Sequence, residues 1–306
     1  MIAIVGITIV AILLGPPMAV MRSDLARRMT GWFLLASLVA ASHFILCEAS
    51  AVARMFGICC VLLASMKALV YAEWARVQKL SIGNYLIFAT CWFGMDPASF
   101  RKRKHGLSWR RDLGAGMALT SIGLIASWLV WELGLYRIGG IWALFIPMSL
   151  AFHFGILRLM KAGIRLAGYP VRTLFPNVLV ARGIGDFWSR RWNVGYSQMM
   201  QRLVGRPVGR VAGRSAGTMA VFIGSGILHE LAITLPVRNG YGLPTLYFTA
   251  HGLLVLAESK WGKSIGRAPS LLAVAIPIFL LFPPAFQYEV ILEILSWFGG
   301  LAFVCH

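Results

Sequence analysis

The sequence predicts an all-α protein, a polytopic transmembrane helical bundle of about eight to ten helices, one of them re-entrant. Three observations predict it. Of the 306 residues, 58% are hydrophobic and 13% charged, against roughly 45–50% and about 25% in soluble domains. Apolar runs long enough for membrane helices recur along the whole chain. The 29 Lys and Arg residues gather between particular runs instead of spreading evenly.

The runs lie at 2–20, 31–47, 51–71, 81–95, 113–131, 138–157, 216–235, 242–257, 270–287 and 290–304. The first has no basic residues ahead of it, holds Pro16 and Pro17, and is followed by Arg22, Arg27 and Arg28. It is expected to be a retained helix and not a signal peptide. The fourth run is short and ends in Gly94-Met95-Asp96-Pro97. If it does not cross, 26 of the 29 basic residues fall on the cytoplasmic side and Arg54, Arg137 and Arg238 on the other, as the positive-inside rule requires. A crossing fourth run would place Arg101, Lys102, Arg103, Lys104, Arg110 and Arg111 outside. The expected topology is nine spans plus one re-entrant segment, with the amino terminus outside and the long basic loops cytoplasmic. This describes one integral membrane domain over 1–306, in a bacterial inner membrane or the endoplasmic reticulum. The net charge of +18 is then read as topology and affinity for membrane lipids, and no nucleic-acid partner is expected.

The stretch 158–215 holds 11 of the basic residues and is too long for a plain connection. Within it Trp188, Trp192, Tyr196, Met199 and Leu203 recur at helical spacing. They predict one interfacial helix, its aromatic face toward lipid or neighbouring helices and its arginines toward headgroups or a ligand. Cys47, Cys59, Cys60, Cys91 and Cys305 have neither CxxC spacing nor a disulfide framework and are expected to be inert small hydrophobes.

Ionisable groups inside apolar runs mark function by default: here His43, Glu48, Lys67, His153, His229, Glu230, His251 and Glu258. His229 lies deepest in its run, after the small residues Gly224, Ser225 and Gly226. Position alone leaves it either an interhelical hydrogen-bonding group or a catalytic one. Glu230 points about 100° away from His229 on a helix and is expected to bond another helix. His251 either lines the same site or braces a helix interface. Gly213-Arg214-Ser215-Ala216-Gly217 fits GxSxG, but no strand precedes it, so a nucleophilic Ser215 is not expected. No HxxxxD, HExxH, zinc-type grouping or GxxxxGK[ST] loop occurs, so neither a metal nor a nucleotide-driven pump is expected.

Two blocks, Phe187-Trp188-Ser189-Arg190-Arg191-Trp192-Asn193 and Ser225-Gly226-Ile227-Leu228-His229-Glu230, match FWxRRWN and SGxxHE in order and setting. With them the chain resembles the membrane-bound O-acyltransferase superfamily, in its plant-type wax synthase branch. His251-Gly252 and the Gly94–Pro97 stretch are similar too, and the resemblance covers about residues 80–262. It implies tilted helices around a catalytic tunnel, open to acyl-CoA from the cytoplasm and to a lipophilic alcohol from the membrane. It also implies His229 as the catalytic histidine and Asn193 as the second active-site residue.

A thioester is already activated, so the chemistry needs only a base for the hydroxyl and donors for an oxyanion. No cofactor is required beyond acyl-CoA as co-substrate. Asn193 could donate its amide to the thioester or position the acceptor. Substrate contacts are expected from Trp188, Arg190, Arg191, Trp192, Ser225 and His251, with Arg190 and Arg191 near the coenzyme A phosphates together with Arg182 and the run 101–104. The expected product is a wax-type ester of a long-chain alcohol. A sterol or smaller alcohol as acceptor, or a non-catalytic lipid transporter or scaffold, are the alternatives.

Overall fold

The computed structural model describes residues 2–76 and 78–302, and these form helices and loops with no strand among them. Cys305 lies outside the described residues; Cys47, Cys59, Cys60 and Cys91 are free thiols. Serines start three of the first helices, each accepting from a backbone N–H in the first turn: Ser23 from Ala26, Ser50 from Ala53 and Ser81 from Asn84. Such caps satisfy donors that a helix start otherwise leaves open.

Helix Ala51–Trp74 is the centre of the amino-terminal half. Helices Ile2–Leu13 and Asp24–Ile45 pack along it, and most of its span is buried. An ionic knot ties its end to helix Asp24–Ile45. The fully buried Arg27 donates to Glu73 at 3.0 and 3.1 Å and to Asp24 at 2.9 Å, and Arg28 reaches Glu73 at 2.7 Å.

Where helices meet closely the residues are small, as expected where lipid offers no hydrophobic drive to association. Helix Arg110–Glu132 lies against the stretch 150–166, and a Cβ on Gly123 would stand 2.4 Å from the Ala151 nitrogen. Likewise a Cβ on Gly226 would stand 2.6 Å from the Thr245 Cα, where helix Arg214–His229 crosses helix Leu243–Trp261.

Among the described residues, six helices are long and apolar enough to cross a membrane, or seven if the bent pair Arg267–Leu281 and Pro284–Trp297 counts as one span. The expected nine is thereby reduced. The runs 270–287 and 290–304 are not separate crossings: Pro283 and Pro284 break the chain and its arms turn by 79°. Run 242–257 becomes the nineteen-residue helix Leu243–Trp261, which carries Glu258 and Lys260 and is not among the six. The fourth run forms only the nine-residue helix Ile82–Thr90, about 14 Å of a roughly 30 Å hydrocarbon layer. It does not cross as a helix. Lys67, counted above among cytoplasmic loop charges, is instead fully buried. Its Nζ donates to the carbonyls of Phe88 at 2.9 Å and Gly94 at 2.6 Å and sits 4.0 Å over the Phe88 ring. One lysine thus holds the short helix and the loop after it against the central helix.

Candidate active site

The expected continuous helix through 188–203 is broken at the Asn193 block. Phe187–Arg191 form one wide, π-helical turn, Trp192 is extended, and Asn193 is left-handed at φ 40° and ψ 59°. Helix Val194–Met200 starts afresh from there. Packing fixes the break. Trp192 stacks on Phe187 at 5.6 Å, meets Phe175 edge-on at 4.9 Å, and packs beside His153 at 5.3 Å, while the Val194 N–H donates to the Leu174 carbonyl at 2.9 Å.

Asparagine is one of the few residues that tolerates the left-handed region. Its side chain uses that position to cap the new helix: Oδ1 accepts from the Tyr196 N–H at 3.3 Å. The amide nitrogen makes no hydrogen bond among the described residues. Gly195 follows because a Cβ there would stand 3.1 Å from the Met95 nitrogen and 3.2 Å from the Gly94 Cα. The loop held by Lys67 is therefore the floor on which the Asn193 turn rests.

A second anchor holds the front of the block. The Glu258 carboxylate accepts from the backbone N–H groups of Ile184 at 3.1 Å, Gly185 at 2.9 Å and Ile265 at 3.1 Å. Gly183 leaves room for it, since a Cβ there would lie 2.5 Å from Glu258 Oε1.

His229 is the last residue of helix Arg214–His229, fifteen positions beyond Arg214, which at 1.5 Å per residue is about 22 Å along the axis. Its Nδ1 lies 2.7 Å from the Ser225 carbonyl. A carbonyl can only accept, so Nδ1 carries the proton, and in the neutral ring the Nε2 lone pair is free. Phe248 packs 4.4 Å from the imidazole and Tyr196 meets it edge-on at 6.1 Å. Glu230 turns away and bonds the next helix, as expected: Oε1 accepts from Gly242 N, Thr245 N and Thr245 Oγ1 at 2.9–3.1 Å, and Oε2 from Thr234 Oγ1 at 2.5 Å. The chain passes residues 230–234 as a π-helical turn.

Both blocks open on one cavity of about 750 Å³. It lies where the two hydrophobic cores meet, with Trp188 and Ala232 packed against both. Its lining includes the exposed Arg190, Arg214, Ser215 and Lys263 and the buried Leu62, Met66, Met200, Val221 and Leu228. His229, Asn193, Trp188, Trp192 and Ser225 all line it. Ser225 donates to the Val221 carbonyl at 2.8 Å.

Two expected contacts are not brought there. His251 is buried outside the lining, its ring nitrogens 2.8 Å from the Tyr247 carbonyl and 3.2 Å from that of Ala273. It braces the interface between helices Leu243–Trp261 and Arg267–Ala275. Arg191 turns back to Asp186 at 3.3 Å, whereas Arg190 is exposed at the mouth. The 101–104 run is also elsewhere, with Lys104 N bonded to the Gly168 carbonyl at 2.7 Å. Ser215 lines the mouth without a histidine bonded to it among the described residues, so it lacks the base a nucleophile needs.

Tyr196 was visible in the sequence only as one aromatic of a helical face. The structure puts its phenol in the cavity wall, with the oxygen buried and unbonded, and burial pushes its pKa up. Trp188 Nε1 is likewise buried and unbonded in this wall. An unpaired buried donor costs about 1–3 kcal/mol, so both groups stand out among the residues of the cavity wall.

Residues 171–249 match the membrane bound O-acyl transferase family. Two curated relatives are similar, both from Arabidopsis thaliana. "Probable long-chain-alcohol O-fatty-acyltransferase 2" is 28% identical over 130 residues, 38% of this chain and 37% of that protein. "Probable long-chain-alcohol O-fatty-acyltransferase 1" is 32% identical over 123 residues, 36% of each chain. The chain thus spans little more than a third of the length of these relatives. The residues that match this family, 171–249, hold both blocks and much of the cavity wall.

Proposed function

We propose that the protein is an integral membrane O-acyltransferase that moves a fatty acyl group from acyl-CoA to the hydroxyl of a long-chain alcohol. The observation that carries this is the free Nε2 of His229 in a cavity lined by buried apolar side chains and by exposed basic ones. An acyl chain suits the buried apolar wall, and Arg190, Arg214 and Lys263 suit the phosphates of coenzyme A. The names of the two plant relatives support a fatty acyl group as the moiety transferred and a long-chain alcohol as acceptor.

In this reading His229 Nε2 takes the alcohol proton as the alcohol oxygen attacks the thioester carbon. The carbonyl π electrons move to oxygen, giving an oxyanion that the Asn193 amide N–H can meet. Collapse breaks the C–S bond, and the imidazolium returns the proton to the leaving thiolate. No covalent enzyme intermediate is needed. The charge asymmetry of the loops supports a cytoplasmic side for these basic residues.

The test is ester formation from labelled acyl-CoA and long-chain, sterol or short alcohols in membranes holding equal amounts of wild type or His229→Ala. Wild type is expected to make ester best from a long-chain alcohol, and His229→Ala to make essentially none. Equal activity of the two would refute the base assignment, and no ester with any alcohol would favour a transporter or scaffold.

A further inference from the structure

We propose that Tyr196 is a further catalytic residue, its phenol O–H donating a hydrogen bond to the acyl-donor carbonyl oxygen as that oxygen becomes an oxyanion. This rests on the acyl-transfer reading above. Three observations converge on the phenol. It lines the cavity that His229 and Asn193 line. Its oxygen is buried and meets hydrogen-bond geometry with no group among the described residues; the neighbouring Ser225 hydroxyl donates to the Val221 carbonyl. Its backbone is held by the Asn193 cap, and its ring stands edge-on to the His229 imidazole at 6.1 Å.

One short turn therefore carries two donors with fixed spacing, the Asn193 amide and the Tyr196 hydroxyl, beside the base on the facing helix. This is the arrangement an oxyanion needs, since donors oriented beforehand in a water-poor site need not reorganise as charge develops. The phenol keeps its proton throughout: the alcohol proton goes to His229 Nε2 and from there to the thiolate, so the step balances with Tyr196 only donating a hydrogen bond. The position is unlike a packing tyrosine. Tyr169, fully buried elsewhere, donates from its hydroxyl to Asn84 Oδ1 at 2.7 Å.

Tyr196→Phe removes the oxygen and leaves the ring. The proposal expects kcat for ester formation to fall about 100-fold with KM for acyl-CoA within about twofold, and with a melting temperature no lower than wild type, because no protein hydrogen bond is lost. A non-reactive thioether analogue of acyl-CoA, which lacks the carbonyl, should bind wild type and Tyr196→Phe equally. Full activity of Tyr196→Phe, with His229→Ala inactive, overturns the proposal and spares the acyl-transfer reading. Weaker binding of the thioether or a lower melting temperature in Tyr196→Phe assigns the tyrosine a structural role and also overturns it. Full activity of His229→Ala removes the acyl-transfer reading itself.

Discussion

Asn193 holds two positions at once, a left-handed backbone and a helix cap, while presenting an amide to the cavity. Substituting alanine and glycine there separates structure from chemistry. Alanine loses the cap, worth about 1 kcal/mol, and must hold a left-handed backbone at a cost of about 1–2 kcal/mol. The expected loss is about 2–3 kcal/mol, a drop of several degrees in Tm. Glycine adopts the same backbone without strain and at a cap position costs only about a few tenths of a kcal/mol. Both variants lack the amide N–H, and loss of one oxyanion donor lowers kcat about 100-fold or more. The assay is thermal melting of detergent-purified protein beside ester formation in membranes at equal abundance. Asn193→Gly should be nearly as stable as wild type and nearly as inactive as Asn193→Ala. Ester formation by Asn193→Gly at half the wild-type rate or better would refute the donor role, and identical melting of the two variants would refute the left-handed cap argument.

Glu230→Ala removes the acceptor of Gly242 N, Thr245 N and Thr245 Oγ1 and should lower stability by about 2–3 kcal/mol; an unchanged melting temperature would count against the cap. Gly226→Ala puts a methyl against the Thr245 backbone and should cost about 1–3 kcal/mol by forcing the two helices apart, read as a lowered Tm together with reduced ester formation. In a cysteine-free background, cysteines at the exposed Ser189 and Tyr241 should label from opposite faces of the membrane, Ser189 from the cytoplasmic one; labelling from one face would overturn the loop assignment.

Much of this site was legible as residue types at fixed spacing. The two motif blocks were legible through their family resemblance, the non-crossing fourth run through charge counting, and the outward turn of Glu230 through helical geometry. The break at Trp192–Asn193 did not, because counting at 3.6 residues per turn treats a left-handed residue as helical. The available signal was the asparagine itself. The π-helical turns at 187–191 and 230–234 shift every later side chain around the axis, and periodicity cannot register them. The Pro283-Pro284 pair was a visible warning that two apolar runs were arms of one bend. Tyr196 and His251 could not be told apart in the sequence: an aromatic or polar group in a membrane run reads the same whether it faces a cavity or a carbonyl. Only the partners of each oxygen and nitrogen distinguish them.

The seat of Lys67 also constrains how the chain is made. Helix Ala51–Trp74 reaches the membrane with a lysine two-thirds of the way along it, a residue type that is costly inside an inserting helix. The carbonyls that receive its Nζ belong to residues 21 and 27 positions later, outside the inserting helix itself. The helix therefore enters on its apolar remainder and completes its burial only once residues 82–94 fold back upon it. Insertion of the central helix is thereby coupled to the segment after it, because the cation of one is satisfied only by the carbonyls of the other.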